Sequence, residues 1–315
     1  EVIPYQWEAL NDRIPGAEKS WCMHNFRLAG RIMAQYRQQG AQYTPQAYTY
    51  RGYDALPDDP AHPDEDKFYG FVFQDTDFSK WIEAVGYSLI QHPDEALEAT
   101  ADEAIDVVCA AQTPEGYLDT YYIINGMDGV FQSLRDHHEL YCLGHLIEGA
   151  VSYYQATGKD KLLRAACRFA DYVANFFGTA DGQCKGYPGH EIAEMALVRL
   201  YEVTQDEKYL RLSRFFINER GQEPNYFVEE ERSNAEREHR PVRSVNLAYH
   251  QAVKPVREQD EAMGHAVRAV YLYSGMADVA RMTGDDSLKS ACERLWRSIV
   301  QEKLYITGGI GATQI

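Results

Sequence analysis

The sequence lacks any dense cluster of basic side chains. Its 31 Lys and Arg residues stand against 48 Asp and Glu residues, which gives a formal net charge of −17 and an isoelectric point of about 5.0. Nucleic acids and anionic membrane surfaces attract basic proteins, so neither is expected as a partner. No apolar run approaches the roughly 20 residues that a membrane-spanning helix needs. No signal-peptide pattern opens the chain, and a cytoplasmic location is favoured over secretion.

Cysteine is also scarce and shows no metal-binding pattern. The six cysteines have no C-x-x-C spacing, and four of them lie in helical patterns, where a free cysteine usually behaves as a small buried apolar residue. A zinc site built from these six is not expected, and a reducing compartment is favoured. They are Cys22, Cys109, Cys142, Cys167, Cys184 and Cys292.

Helical periodicity is strong, and residues 137–158 show it best. Leu140, Leu143 and Ile147 recur at helical steps along one side of this segment, which is typical of a buried helix. The opposite side carries small or hydrogen-bonding residues and is expected to face a polar interior. Thr157 then begins a turn, and a second amphipathic helix follows at once. The segment is predicted to be a helical hairpin.

The same hairpin pattern recurs further along the chain, with turns at Thr204 and Thr283. The repeats are irregularly spaced, as expected for hairpins separated by a long insertion. Hydrophobic residues make up 45% of the chain, enough for the core of a large helical domain. We therefore predict an all-α fold with a single domain over residues 1–315. The 23 tyrosines either fill helical interfaces or line a sugar cleft.

Three histidines lie at or near the starts of predicted inner helices: His138, His190 and His265. Parallel inner helices begin on the same rim, so these side chains could converge. The positive end of a helix disfavours the imidazolium ion, and a neutral histidine offers one donor and one acceptor. These properties suit sugar hydroxyls. The alternative for each histidine is a hydrogen-bonded core or capping role.

Gln74 and Asp75 open a further predicted helix. One interpretation makes Asp75, Thr76 or Asp77 its N-cap. The functional alternative is that Gln74 and Asp75 bind substrate hydroxyls at the mouth of an inner helix.

Two long insertions separate the hairpins. Residues 39–67 are rich in Tyr, Pro, Gly and Asp and are predicted to form a loop, of the kind that often covers a functional site. Residues 222–260 form the second insertion. Its charged stretch, 229–240, is predicted to be a solvated face.

Seven segments together resemble glycoside hydrolase family 127, the β-L-arabinofuranosidases. They occur in the family's order and span essentially the whole chain. The segments are Val2–Glu8, Val72–Asp75, Gly116–Thr120, His138–Tyr141, Pro255–Arg257, Gly264–Arg268 and Tyr305–Gly311.

The resemblance implies an (α/α)6 toroid that removes terminal β-L-arabinofuranosyl residues with retention of configuration. In that family a zinc-bound cysteine thiolate is the nucleophile and a glutamate is the acid/base. His138, His190 and His265 fall where the family has substrate-contacting histidines, and Gln74 and Asp75 match a family motif. These five residues are our candidates for binding a small carbohydrate substrate.

The chain departs from the family pattern after its glycine-rich segment, because Ile315 precedes the expected acid/base glutamate and zinc ligands. We therefore expect an incomplete toroid with no catalytic residue and no metal ligand of its own. Its open edge would expose apolar surface, which favours aggregation or a homodimer. Two alternatives remain open: a non-catalytic sugar-binding toroid, and another toroid enzyme, such as an unsaturated glucuronyl hydrolase, that uses Asp75 and the histidines.

Overall fold

The structure, a computed structural model, describes residues 1–40 and 53–311. The middle of the predicted loop at 39–67 lies outside the described residues. Within the described part, no helix is long and apolar enough to cross a membrane.

The chain divides into two compact units. The first contains Glu1–Phe131 and His145–Tyr172, and the second contains Gln132–Gly144 and Val173–Ile315. A single domain over the whole chain stays a prediction. The first unit holds helices α1 (Val2–Leu10), α2 (Cys22–Gln39), α3 (Asp75–Gln91), α4 (Glu95–Ala110) and α5 (Thr120–Asn125), and an antiparallel pair of short strands, β1 (Asp54–Ala55) and β2 (Gly70–Phe71).

Two helices contribute residues to both units, and five more belong to the second. The shared helices are α6 (Glu139–Thr157) and α7 (Lys161–Phe176). The helices of the second unit are α8 (Ala193–Thr204), α9 (Glu207–Glu219), α10 (Tyr226–Arg237), α11 (Ala266–Thr283) and α12 (Asp286–Ser298), followed by a π-helical turn at Ile299–Lys303.

The predicted hairpin turns are confirmed. Helices α6, α8 and α11 end at Thr157, Thr204 and Thr283. Each threonine hydroxyl donates a hydrogen bond of 2.7 to 2.8 Å to the carbonyl four residues earlier. Asp206 and Asp285 then accept hydrogen bonds from the first turns of α9 and α12, which stabilises these helix starts by about 1 kcal/mol each.

The second unit has its own apolar core. Leu272 and Met276 of α11 pack in one cluster with Leu288 and Leu295 of α12, and all four are fully buried. Burial stabilises each leucine by about 1.5–3 kcal/mol relative to exposure, so amphipathic pairing holds this hairpin together.

The small and polar face of α6 does not look into a polar interior in the first unit. A Cβ at Gly149 would lie 2.6 Å from the carbonyl oxygen of Ser79, and the Ser152 hydroxyl donates a 2.9 Å hydrogen bond to the carbonyl of Glu83. These small residues allow α6 and α3 to approach closely, so this part of the face packs against a helix rather than looking into a polar interior.

The charged stretch at 229–240 is solvated over much of its length, because Glu229, Arg232, Glu236, Arg237 and Glu238 are exposed, but two of its carboxylates are buried. Most of it belongs to α10, where Glu230 and Glu231 are 7% and 1% exposed. Glu231 forms ion pairs with Arg240 and Arg135. Charge pattern alone could not reveal the pairing with Arg135, which is 96 residues away in sequence.

An apolar groove of about 710 Å³ lies along α11 and α12. Val270, Tyr273, Cys292 and Trp296 are among its lining residues, and Trp296 is 66% exposed. Exposed apolar surface of this kind often marks an association site.

Candidate substrate-binding site

The second unit brings the segments before α6 and α8 into close contact. The backbone N–H groups of Leu134 and Arg135 donate to the Glu230 carboxylate at 2.6 and 3.1 Å. A Cβ on Gly189 would overlap the carbonyl oxygens of Leu134 and Arg135. Glycine at this position lets the chain just before His190 run against the chain just before His138.

The three candidate histidines form a continuous row. The ring centres of His138 and His190 are 5.6 Å apart, and those of His190 and His265 are 5.7 Å apart. Tyr141, in the first turn of α6, lies 4.4 Å from His190, and Tyr249 lies 5.4 Å from His265. The structure therefore gathers residues that are far apart in sequence, although their role in binding substrate stays a prediction.

All three histidines are held neutral. Burial, reinforced by the positive charge of Arg268, lowers the pKa of His138 to about 3 and that of His190 to about 2. The same two causes lower the pKa of His265. Desolvation penalises the imidazolium ion, and a nearby cation penalises it further.

Hydrogen-bond partners assign the tautomers. In His138 and His190, Nδ1 lies 2.9 Å from a backbone carbonyl oxygen, so Nδ1 carries the proton and Nε2 is an acceptor. His265 is the N-cap of α11, and its Nδ1 accepts from the backbone N–H of Arg268 at 3.4 Å. Its Nε2 is therefore a donor. The row offers two acceptors and one donor, which is a pattern that hydroxyl groups can satisfy.

The sequence pattern did not reveal the charged core behind this row. Arg220 is completely buried and lies 2.9 Å from Glu191 and 3.1 Å from Glu194. It also donates to the carbonyl oxygens of Pro188 and His250 at 2.7 and 2.8 Å. The Arg220 guanidinium therefore links the segment just before His190 to the segment that contains His250.

This triad has one cation for two carboxyl groups. Burial raises the pKa of Glu191 to about 7, although Arg220 opposes the shift. Glu191 and Glu194 are both fully buried, and both pair with Arg220. Their arrangement supports a structural role rather than attack on a sugar.

Gln74 and Asp75 lie in the first unit. Both oxygens of Asp75 accept hydrogen bonds from Thr120, from its N–H at 2.8 Å and from its hydroxyl at 2.5 Å. Burial raises the pKa of Asp75 to about 6 despite these bonds. The Gln74 amide accepts from Phe71 N–H at 3.1 Å and donates to Asp77 at 2.6 Å.

The predicted N-cap of α3 is wrong. The helix begins at Asp75, its N-cap position is Gln74, and the Gln74 side chain makes no capping hydrogen bond. Asp75 instead binds the first residue of α5, Thr120. Substrate binding by Gln74 and Asp75 stays a prediction.

Within residues 1–40 and 53–311, no group of three or more His, Cys, Asp and Glu side chains could hold a metal ion. None of the six cysteines forms a disulfide within the described residues, and burial raises the pKa of Cys109 and Cys292 to about 11. Thiols with such pKa values are poor metal ligands. The described residues therefore do not fit the zinc that the family resemblance implies.

The described residues thus form helical hairpins with hydrogen-bonding side chains at or near the starts of α6, α8 and α11. A model of the β-L-arabinofuranosidase, GH127 catalytic domain matches residues 9–314. The chain belongs to this family.

Relatives support the assignment. The chain is 37% identical to the non-reducing end β-L-arabinofuranosidase of Bifidobacterium longum subsp. longum, over 100% of the chain and 46% of that protein. It is similar to the crystal structure of Ara127N-Se, a GH127 β-L-arabinofuranosidase from Geobacillus stearothermophilus T6. The TM-score is 0.85 and the sequence identity 46%, and the match covers 99% of this chain and 44% of that chain. A GH127 β-arabinofuranosidase structure matches with a TM-score of 0.76, 39% identity and coverage of 98% and 41%.

These matches confirm the predicted fold class, an all-α toroid of helical hairpins. The chain spans less than half the length of these relatives. The relatives are glycoside hydrolases, so the family resemblance to a hydrolase is confirmed as well.

Proposed function

We propose that this chain forms the sugar-binding part of a glycoside hydrolase that acts on terminal β-L-arabinofuranosyl residues. The observation that carries the proposal is the row of neutral histidines, His138, His190 and His265, with ring centres 5.6 and 5.7 Å apart. The name of the Bifidobacterium relative, a non-reducing end β-L-arabinofuranosidase, supports this substrate class.

In this proposal each sugar hydroxyl meets a complementary nitrogen. Nε2 of His138 and of His190 accepts a hydroxyl proton, and Nε2–H of His265 donates to a hydroxyl oxygen. Tyr141 offers an aromatic face beside His190, and such faces pack well against the C–H groups of a sugar ring. Because the histidines stay neutral, they bind hydroxyls without acting as charged acids.

Retaining hydrolysis needs a nucleophile and a proton donor on opposite sides of the anomeric carbon. Glu191 and Glu194, the carboxyl groups behind the histidine row, are fully buried against Arg220. We therefore propose that neither is catalytic. By family resemblance, the acid/base glutamate and the zinc-bound cysteine are expected beyond Ile315, and we derive no chemical step from the described residues.

The two alternatives make different predictions. A non-catalytic sugar-binding toroid would bind arabinofuranosides as proposed but would never hydrolyse them. An unsaturated glucuronyl hydrolase would need Asp75 to act on substrate, whereas both oxygens of Asp75 are occupied by Thr120. Turnover of an unsaturated uronide by this chain alone would support that alternative.

Binding of methyl β-L-arabinofuranoside, measured by calorimetry or by ligand-observed NMR, tests the proposal. Replacement of His190 by Ala removes one hydrogen bond and should weaken binding about threefold to tenfold. His92→Ala is the matched control, because His92 is an exposed residue of the other unit. If His190→Ala binds the sugar as tightly as the parent chain does, the histidine row is not the binding site.

A homodimer remains part of the proposal. The surface that would support it is the groove along α11 and α12, where Trp296 is exposed.

A further inference from the structure

Arg268 makes contact with several parts of the histidine site at once. It is 6% exposed and lies in the first turn of α11, three residues after His265. Its guanidinium carbon lies 4.6 Å from the centre of the Tyr249 ring, and its Nη1 lies 2.6 Å from Nδ1 of His250. The backbone N–H of Arg268 donates to the side chain of His265.

His250 has two competing neighbours at the same nitrogen. Nδ1 faces Nη1 of Arg268 at 2.6 Å and the carbonyl oxygen of Gly189 at 3.2 Å. A carbonyl can only accept, so a bond to Gly189 needs a proton on Nδ1. An arginine can only donate and does not lose its proton in proteins, so a bond to Arg268 needs a bare Nδ1. The shorter contact indicates that Arg268 prevails, and His250 then carries its proton on Nε2.

The same contacts connect the segments that carry the binding histidines. The backbone N–H of His265 donates to the carbonyl of Tyr249 at 3.3 Å, so the residue under the Arg268 guanidinium also anchors the start of α11. His250 is linked to the segment of His190 through Arg220, whose guanidinium donates to the carbonyl oxygens of His250 and of Pro188. Arg268 therefore lies between the segment of His265 and the segment of His190.

We propose that Arg268 is a positioning residue of the sugar site. Its guanidinium selects the Nε2–H tautomer of His250, clamps the Tyr249 ring and so holds His265 at a fixed distance from His190. Its consequence for sugar binding rests on the proposed function, whereas the tautomer of His250 does not.

The direct test is the protonation of His250 in the 315-residue chain, read from histidine ring ¹⁵N signals. In the parent chain Nδ1 should give the signal of an unprotonated nitrogen, with a coupling through the hydrogen bond to the Arg268 guanidinium. In Arg268→Met, Nδ1 loses its donor and should take up the proton and donate to Gly189. Arg268→Lys keeps a cationic donor and should restore the parent tautomer.

A general structural defect would not switch one tautomer selectively. Arg281→Met is the matched control, because Arg281 lies at the other end of α11 and its side chain is 55% exposed. Arg281→Met should leave both the His250 signals and sugar affinity unchanged. Arg268→Met should weaken binding of methyl β-L-arabinofuranoside about tenfold, which equals about 1.4 kcal/mol.

Two results would overturn the assignment: a proton on Nδ1 of His250 in the parent chain, or a folded Arg268→Met chain that keeps both the tautomer and the affinity of the parent. If Arg268→Met does not fold, the parent signals decide, since the coupling between Arg268 and His250 must be present. If the parent chain binds no arabinofuranoside, the proposed function fails, and the tautomer measurement still tests the role of Arg268.

Discussion

Replacement of Arg220 by Met should destabilise the second unit severely. Arg220 is completely buried between Glu191 and Glu194, and removal of one partner from a buried ion pair costs about 3–5 kcal/mol. The carbonyl oxygens of Pro188 and His250 also lose their donor, at about 1–3 kcal/mol each. The expected loss is therefore comparable with the whole stability of a typical domain, about 5–15 kcal/mol.

Urea unfolding followed by circular dichroism measures this loss. Arg281→Met is the control, because Arg281 also pairs with two carboxylates, Glu202 and Asp278, but is exposed, and exposed pairs contribute only about 0–1 kcal/mol. An Arg220→Met chain that is as stable as Arg281→Met would refute the reasoning.

A second variant separates the charge from the hydrogen bonds. Burial raises the pKa of Glu191 to about 7, so its ionisation costs stability as the pH rises through 7. Glu191→Gln should remove this cost and be least harmful, relative to the parent chain, above pH 7. If Glu191→Gln instead destabilises the chain most above pH 7, the ionised Glu191 carboxylate is fully stabilised by Arg220.

The remaining predictions concern four other places in the chain. Gly189→Ala should cost several kcal/mol in the same unfolding assay, because its Cβ would overlap two carbonyl oxygens. Gly30→Ala is the control, because its Cβ would lie 3.6 Å from the nearest atom, an ordinary van der Waals distance. It should cost nothing measurable or stabilise α2 by up to about 1 kcal/mol. Asp75→Asn should stay within about 1 kcal/mol of the parent chain, because an amide can still pair with both groups of Thr120, whereas Asp75→Ala should cost about 1–3 kcal/mol. Burial and the charge of Arg268 hold the pKa of His250 near 3. The stability that neutral His250 contributes is therefore complete above about pH 6.5 and is lost as the pH falls towards 3. His250→Gln should reduce the slope of unfolding free energy against pH in this window by about 1.4 kcal/mol per pH unit. Trp296→Gln should weaken self-association in sedimentation experiments, and a parent chain that stays monomeric at high concentration would contradict the homodimer.

Local signals predicted the helical framework well. The hairpin turns at Thr157, Thr204 and Thr283 follow from helix-ending patterns within a few residues, and the structure ends α6, α8 and α11 at these threonines. The prediction for α3 failed because the partner of Asp75 is Thr120, 45 residues further on. A capping pattern cannot show that a distant backbone N–H competes for the same carboxylate.

The sequence by itself determined the all-α class, the family and the placement of three histidines at or near helix starts, because periodicity, end signals and motifs are local properties. Only the tertiary structure decided which groups surround those histidines. The close approach at Gly189 and the buried contacts of Arg220 and Arg268 join residues that no spacing rule connects. Protonation and tautomer depend on burial and on individual donor–acceptor distances, and these exist only once the chain has folded.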